Sequence, residues 1–236
     1  MTLARLHVDN HLLALAKSAG EPVVPDESGD LSLLERGKHW IAEEFNKPGD
    51  VFLGVVHRLD RPVSGVVLFA RTSKAAARLS EQFRTHTVRK LYFGVSSSVP
   101  RGAASGEITQ WLVKDSASNT VRLGREGESG ALLARTRYRV VGHVDALVHI
   151  ELEPLTGRPH QLRVACASLG APLLGDLKYG ARDALEDRSI ALHAAELEIE
   201  HPTLRTRLEL RCEPPDRPWW RSRAEALSRA RKGAGS

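Results

Sequence analysis

The sequence predicts an α+β fold built around a mixed, largely antiparallel sheet. Many short apolar runs have the length of strands, the connections between them are short, and only three or four segments show helical spacing. A repeating strand–helix–strand unit is not evident, which disfavours a doubly wound parallel sheet. The chain has 236 residues, enough for one large domain or two small ones, and its 42% hydrophobic and 27% charged residues are typical of a globular protein.

The first elements follow from apolar spacing and turn residues. The run Leu12–Ala16 predicts a strand, and the Pro-, Gly- and acid-rich segment Glu21–Asp30 predicts a loop. Apolar residues recur at helical spacing over Ser32–Phe45, with a serine in the N-cap position and Glu35 three residues later, as in a capping box. We therefore expect a helix there.

Two β-rich runs follow this helix and are joined by a turn-like connection. A second helix is expected from a cap at Thr72 or Ser73 through Phe83. The later expected strands are Lys90–Ser96, Glu107–Val113, Thr120–Leu123, Ala131–Val141, Ala146–Leu152, Ile190–Ile199 and Leu204–Arg211. A short helix is expected over Pro159–Leu169. The two β-rich runs that precede the second helix are Val51–Leu59 and Gly65–Arg71.

The net charge of +5 hides an uneven distribution. Residues 1–200 contain 25 basic and 25 acidic side chains, so the excess of cations lies in the last 36 residues. Within the balanced part, residues 54–94 carry eight basic and two acidic residues. Charge alone therefore favours a nucleic-acid partner only weakly.

Several classes of protein are disfavoured by what the sequence lacks. The two cysteines, Cys166 and Cys212, cannot build a disulfide scaffold or a four-ligand zinc site. The usual nucleotide-binding glycine motifs, Cys-x-x-Cys, His-Glu-x-x-His and Gly-x-Ser-x-Gly are not found. No apolar stretch has the length of a membrane span, and no signal peptide is evident. We expect a soluble cytoplasmic monomer without a metal, a cofactor or a membrane partner.

The most informative cluster is His57-Arg58-Leu59-Asp60-Arg61, where an apolar run leads into an aspartate flanked by arginines. Neighbouring cations favour the ionised form of Asp60, and such a carboxylate can act as a base or a nucleophile. The competing interpretation is a surface salt bridge that stabilises a turn. The spacing alone does not decide between the two.

Two further clusters carry basic or aromatic residues. Arg158, His160, Gln161 and Arg163 lie at a strand-to-helix junction, where backbone N–H groups near Thr156 could cradle a phosphate. The alternative there is a capped helix with solvated charges. Lys90 and Tyr92 share one face of a predicted strand, so Tyr92 could stack on a base or belong to the core.

Together these clusters resemble the RNA pseudouridine synthases of the RluA class. The matching blocks occur in the family's order and span roughly Leu3–Glu213. The blocks are His57–Gly65 with the helix start Thr72–Ala76, then Lys90–Tyr92, then Leu155–Arg163 continuing through Leu169–Gly170, Pro172–Asp176 and Tyr179–Gly180, and more weakly Leu192–Ala194.

The resemblance implies a cofactor-free isomerase that converts selected uridines of ribosomal or transfer RNA into pseudouridine. It implies a bent sheet in two subdomains that flank an active-site cleft. By the resemblance, Asp60 is the essential aspartate, Tyr92 packs against the target base, Arg163 is the basic partner of the aspartate, and Arg58 fills the base stack after flipping. The remaining residues expected to contact RNA are Arg61, Lys90, Arg158, His160 and Gln161.

The chain departs from the family pattern at a few positions. Ala16–Gly20 stands where the family often has Asn-Lys-Pro-x-Gly, Val63 where threonine is common, and Ala165 where histidine is common. Residues 1–213 are expected to form the catalytic domain, with no S4-like domain in front. Residues 214–236 are expected to form a basic tail or helix that either lies solvated on the surface or contacts RNA.

Two alternatives from other classes remain open at this point. One is a non-catalytic RNA-binding or ribosome-assembly factor that uses the same cleft. The other is a metal-free phosphoryl or glycosyl transferase acting on small nucleotides. Both would use the cluster around Asp60, and they differ from the isomerase in leaving uridine in RNA unchanged.

Overall fold

The computed structural model describes residues 3–223 and residue 226. The chain divides into two compact units. The first unit comprises Met1–Lys90 together with Ala194–Glu213, and the second comprises Leu91–His193 together with the described residues from Pro214 onward. Strands dominate both units and helices are few. The predicted α+β fold class with a large, mostly antiparallel sheet is therefore confirmed.

The sheet of the first unit is centred on β4. Its strands run in the order β1-β2-β4-β10-β11, with the two-residue β3 paired to the end of β4. The β1–β2, β2–β4, β3–β4 and β10–β11 ladders are antiparallel. The strands are β1 (Arg5–Val8), β2 (Leu12–Lys17), β3 (Gly54–Val55), β4 (Ser64–Ala70), β10 (Leu192–Glu200, which begins in the second unit) and β11 (Arg207–Arg211).

Every residue of β4 is buried, because strands cover both of its edges and apolar side chains cover its faces. The β2–β4 register places Leu12 opposite Ala70 and Lys17 opposite Gly65. Gly65 has a φ of +124°, and a Cβ there would lie 2.2 Å from the carbonyl oxygen of Ala194. Only glycine permits so close an approach between the start of β4 and β10.

Both predicted helices of the first unit are present, with the predicted N-caps. Helix α1 (Leu33–Glu44) has a complete capping box between Ser32 and Glu35. Helix α2 (Ser73–Arg84) is capped by Thr72, whose hydroxyl accepts the Ala75 N–H. Each cap satisfies a backbone donor that the first helical turn leaves without a partner.

The second unit is an antiparallel sheet in the order β5-β9-β8-β6-β7. A helix, α3, and a single 3₁₀ turn follow it along the chain. The elements are β5 (Arg89–Ser96, whose first two residues belong to the first unit), β6 (Ser105–Asp115), β7 (Thr120–Gly124), β8 (Ala131–Val144), β9 (Leu147–Pro154), α3 (Gln161–Ser168) and the 3₁₀ turn Leu177–Tyr179.

The prediction of a strand over Val51–Leu59 was wrong in extent, because only Gly54 and Val55 pair with β4. Farther along β4, the backbone N–H of Leu68 donates to Nε2 of His57 at 2.9 Å, and not to a carbonyl of a longer β3. A side chain thus replaces the partner that a longer strand would supply. The strand β1 was also missed. Its hairpin with β2 turns at Asp9, whose Oδ1 accepts the N–H groups of His11 and Leu12.

The described part of the predicted tail is packed on the second unit. Residues 218–223 are helical, and Trp220 is buried against the ring of His193, with ring centres 6.1 Å apart. Ser222 Oγ lies 2.8 Å from His149 Nε2, and the Arg223 guanidinium lies 3.3 Å from the centre of the Phe93 ring. Arg229, Arg231 and Lys232 of the predicted basic stretch lie outside the described residues.

Within the described residues, no helix combines the length and apolar character needed to cross a membrane.

Gly65→Ala tests the close approach between β4 and β10. We expect a loss of at least about 2 kcal/mol in the free energy of unfolding, since the new methyl group meets backbone atoms at a φ that alanine disfavours. Gly157→Ala is the control, because a Cβ at Gly157 meets no atom within 4 Å. Urea denaturation measures both. Equal stability of the two variants would contradict the close approach.

Candidate active site

Asp60 lies in the first unit, in the loop between β3 and β4. We define the Asp60 loop as residues 57–63. Its end is a tight turn in which the Val63 N–H donates to the Asp60 carbonyl at 3.0 Å. The Asp60 side chain is partly buried, Leu59 before it is buried, and Arg58 is exposed. The predicted acid is therefore placed on a loop fixed at both ends by strands, which restricts its position.

The buried side chain of Lys17 lies against the end of this loop. Its Nζ donates to the carbonyl oxygens of Ser18, Arg61 and Val63 at 2.9, 3.0 and 2.7 Å. The Gly20 N–H also donates to the Arg61 carbonyl, at 2.8 Å. The backbone that follows Asp60 is thus tied to the end of β2 and to the segment after it.

Arg61 was predicted to contact RNA, and in the structure its guanidinium is paired within the protein. It donates to Asp26, with Nη1 3.1 Å from Oδ2, and to the carboxylate of Asp30. These carboxylates raise the pKa of Arg61, the hydrogen bond to Asp30 being the largest cause. Both acids belong to the loop predicted over Glu21–Asp30. Their carboxylates offset much of the charge of the Arg61 guanidinium.

Burial lowers the pKa of two basic side chains of the first unit, His57 and Lys90. Burial, with a smaller contribution from the charge of Lys90, lowers the pKa of His57 to about 3. The imidazole is therefore neutral at physiological pH, as its acceptor role toward Leu68 requires. It also stacks on Phe83, with ring centres 4.8 Å apart. Burial lowers the pKa of Lys90 to about 8.

In the second unit, Gln161 organises the junction between β9 and α3. Its Oε1 accepts the Thr156 hydroxyl at 2.7 Å and the Arg158 N–H at 3.0 Å. Its Nε2 donates to the Arg135 carbonyl and to Thr136 Oγ1, both at 2.9 Å. The Arg158 N–H, which follows the predicted phosphate cradle at Thr156 and Gly157, is therefore taken by a side-chain oxygen. A direct contact of Gln161 with RNA would require some of these bonds to break.

Arg163 forms a buried, two-pronged ion pair with Asp176. Its Nε lies 2.8 Å from Oδ2 and its Nη2 2.7 Å from Oδ1, and both side chains are less than a tenth exposed. This geometry is the strongest that arginine offers a carboxylate, and it fixes the plane of the guanidinium. Sequence analysis did not identify Asp176 as a partner of Arg163.

Tyr179 contacts two of the predicted site residues, His160 at the start of the first turn of α3 and Arg163 at its end. The centre of its ring lies 4.9 Å from Cζ of Arg163, and its hydroxyl lies 2.6 Å from Nδ1 of His160. The same hydroxyl accepts the Val121 N–H at 2.8 Å. His160, at the N-cap, has a φ of +50°, a conformation that is uncommon outside glycine. His160 is thus held by a tyrosine that the sequence analysis gave no role.

The last two predicted residues also lie in the second unit. Tyr92 is partly buried on β5, opposite Leu152 of β9. Arg158 Nε donates to the Leu133 carbonyl at 2.9 Å. The second unit thus holds Tyr92, Arg158, His160, Gln161 and Arg163, and the first unit holds Arg58, Asp60, Arg61 and Lys90.

Sequence analysis did not predict the side chains that hold the site residues in place, which are Lys17, His57, Asp176 and Tyr179. For Lys17, the sequence did contain a signal, since a lysine directly follows the apolar run Leu12–Ala16. Among the residues that the structure describes, no group of three or more His, Cys, Asp or Glu side chains is arranged to hold a metal ion.

Asp176→Asn tests the buried ion pair. The substitution removes the carboxylate charge and weakens two charge-assisted hydrogen bonds in a site that excludes water, so we expect a loss of about 3 kcal/mol in the free energy of unfolding. Asp216→Asn is the matched control, since the Asp216–Arg221 pair is exposed and the change should have little effect. Urea denaturation distinguishes the two, and an equally small effect at both positions would contradict the assignment.

Comparisons with known proteins agree with the motifs. A family model described as RNA pseudouridylate synthase matches residues 11–168. Ribosomal large subunit pseudouridine synthase C of Vibrio parahaemolyticus is 30% identical over 84% of this chain and 61% of its own length. tRNA pseudouridine synthase C of Salmonella typhi is 34% identical over 62% of this chain and 62% of its own length. The chain spans less than two thirds of the length of several curated relatives that it matches. For three of them, the share is 52%, 64% and 61%.

A solved structure of human RNA Pseudouridylate Synthase Domain Containing 4 matches with a TM-score of 0.75 and 26% identity, over 97% of this chain and 93% of that one. The segment matched by the family model contains the Asp60 loop, β5 and α3. The chain therefore belongs to the RNA pseudouridylate synthase family, as the RluA-class motifs predicted.

Proposed function

We propose that this protein isomerises selected uridines of RNA to pseudouridine and that the Asp60 carboxylate starts the reaction. The proposal rests mainly on the position of Asp60, on a loop held at both ends and within the segment that the family model matches. Ribosomal and transfer RNA are the proposed substrates, since the relatives from Vibrio and Salmonella carry those names.

The proposed reaction breaks the bond between C1′ of the ribose and N1 of uracil. The ring then turns, C1′ bonds to C5, the hydrogen of C5 leaves as a proton, and N1 takes up a proton in place of its bond to C1′. Three routes are chemically available to the Asp60 carboxylate: attack on C1′, attack on C6 of the ring, and removal of the C2′ proton. The isomerisation has no net change in oxidation state, so we propose that it proceeds without a metal or a cofactor.

The other predicted residues have distinct proposed roles. Because enzymes that act on a base must first take it out of the stack, we propose that Arg58 fills the space left by the flipped uridine. Its exposure and its place two residues before Asp60 support that role. Tyr92 is proposed to pack against the uracil during its rotation. Arg163 is proposed to hold the Asp60 carboxylate, and its fixed orientation on Asp176 supports a positioning function.

The remaining cations are proposed to bind RNA phosphates to different extents. Arg58, Lys90 and Arg158 are the stronger candidates. Arg61 is the weaker one, because Asp26 and Asp30 already offset its charge. We also propose that the protein acts in the cytoplasm as a monomer, with residues 1–213 as the catalytic region and the cations beyond Ala226 as auxiliary RNA contacts.

Asp60→Asn is the direct test of the proposed activity. With RNA that carries 5-tritiated uridine, isolated from cells lacking the gene, the native protein should release tritium into water. The variant should release none above background, because an amide is neither a nucleophile nor a base.

Circular dichroism checks that Asp60→Asn is folded, and Asp216→Asn serves as the active carboxyl-to-amide control. Tritium release by Asp60→Asn at the native rate would exclude the proposed role. RNA binding by the native protein without any release would instead favour the non-catalytic RNA-binding alternative.

A further inference from the structure

The C-terminal segment (residues 219–223 and 226) packs on one face of the sheet of the second unit. The strand register identifies that face, because Phe93 of β5, which the segment contacts, lies opposite Glu151 of β9. Successive side chains of a strand point to opposite faces, so Tyr92 belongs to the other face. We call the face of Phe93 the rear face and the face of Tyr92 the front face.

The segment crosses the rear face from strand to strand. Its contacts lie on β5, β8, β9 and the start of β10, which are neighbours in the sheet. They are Trp220 with the ring of His193 on β10, Arg223 with the ring of Phe93 on β5, Ser222 with His149 on β9, and Ala226 with Gly142 on β8. The segment therefore covers the rear of the strands that flank Tyr92.

Gly142 shows how closely the segment fits this face. A Cβ at Gly142 would lie 2.6 Å from the carbonyl oxygen of Ala226, a distance that no side chain tolerates. Gly142 lies opposite His149, so this close approach and the contact of Ser222 with His149 occur in the same row of the sheet. The position of the segment is thus fixed by the backbone of β8 as well as by side chains.

Arg223 contacts the row of side chains next to Tyr92. Its guanidinium carbon lies 3.3 Å from the centre of the Phe93 ring, and its Nη2 lies 3.7 Å from Oε1 of Glu151. The other oxygen of Glu151, Oε2, accepts the guanidinium of Arg139 on β8. The side chains of Arg223 and Glu151 are only 18% and 16% exposed, and a cation over an aromatic ring is held more strongly when water is excluded. Arg223 therefore links β5 to β9 across the rear face.

The orientation of Phe93 bears on that of Tyr92, because the two residues share a peptide bond. A rotation of β5 about its own axis that moves the Phe93 ring moves the Tyr92 ring in the opposite direction. Contacts that hold Phe93 in place therefore restrict the twist of β5 at Tyr92. A displacement of about 1 Å in a group that contacts the reacting base can lower a rate severalfold to a hundredfold.

We propose that Arg223 is a positioning residue for the isomerisation: its guanidinium, held between Phe93 and Glu151, fixes β5 from the rear face and so sets the position of the Tyr92 ring. The inference rests on the proposed function, in which Tyr92 packs against the uracil. Arg223 is on the rear face and acts through β5. Neither interpretation of the tail from sequence, a solvated surface or an RNA contact, describes this role.

The first experiment separates chemistry from binding with Arg223→Met, which keeps an unbranched side chain over Phe93 and removes the guanidinium. The single-turnover rate of tritium release at saturating RNA should fall about tenfold per folded molecule, while the Kd changes less than about threefold. Arg223→Lys should recover part of the rate, because it restores the cation but not the planar group.

Arg221→Met is the matched control, since it removes the same charge from the same segment. Arg221 is exposed and pairs with Asp216, so its loss should leave the rate unchanged. If the segment served only to attract RNA, both variants would weaken binding alike and neither would lower the rate at saturation. That result would overturn the proposal.

The second experiment observes Tyr92 directly. The chain has three tyrosines, so the protein labelled with 3-fluorotyrosine gives three fluorine NMR signals, and Tyr92→Phe identifies the one from Tyr92. In folded Arg223→Met this signal should shift or broaden. The signal of Tyr179, whose hydroxyl accepts the Val121 N–H on another strand, should stay in place. An unchanged Tyr92 signal would overturn the proposal, because a purely structural arginine would lower stability without moving Tyr92 in the folded protein.

A double-mutant cycle tests whether Arg223 acts through Phe93. Phe93→Leu should itself lower the rate, and in that background Arg223→Met should cost less than about twofold more. A full tenfold loss in both backgrounds would overturn the proposed route. If Arg223→Met does not fold, Arg223→Lys decides, and a native rate together with a native Tyr92 signal in that variant overturns the positioning role.

Failure of the proposed function is distinguishable from failure of this inference. If the native protein releases no tritium, the proposed function fails and the positioning role fails with it. Native release together with an inactive Asp60→Asn protein shows that the function holds, whatever the Arg223 variants do.

Discussion

The antiparallel ladder between β2 and β4 is the constraint on which the first unit depends. It fixes Lys17 opposite Gly65 and so brings a buried ammonium group to the end of the loop that carries Asp60. A one-residue slip of this ladder would turn every side chain of β2 to the other face of the sheet. Because β2 is buried on both faces, such a slip would force both faces to repack and would carry the Lys17 ammonium group away from its three carbonyls. Core packing and the placement of the candidate acid therefore have one cause.

The elements that could be predicted from the sequence are those whose signals are local. Helices α1 and α2 begin at the capping residues that the sequence indicates, because a cap acts within three residues of itself. The strand over Val51–Leu59 failed for a non-local reason. Val51, Leu53 and Leu59 are buried, but the amide of Leu68 bonds to the His57 ring instead of a strand carbonyl. No feature of the linear sequence distinguishes a histidine that ends a strand in this way from one that continues it.

The same limit applies to the candidate site. The motif around Asp60 is contiguous and could be found by inspection, as could the cluster that ends at Arg163. Their partners could not, because pairing in space is not encoded by spacing along the chain. Arg61 is offset by acids of a distant loop, and Arg163 is oriented by Asp176, thirteen residues later. An abundance of arginine in the sequence therefore overstates the cationic surface available to a polyanion, since many of these side chains are already neutralised within the fold.

The first unit is built from two separate stretches of chain, and this affects the order in which it can form during synthesis. Its central strand, β4, lies on β10, and the start of β4 closely approaches Ala194. A ribosome releases the chain from its N-terminus, so β2 and β4 emerge long before β10 and leave one edge of β4 without its strand. Completion of the first unit must wait until the second unit has emerged. The nascent chain therefore carries an open sheet edge through most of its translation, and protection of that edge, by charged neighbours or by a chaperone, is a requirement imposed by this topology.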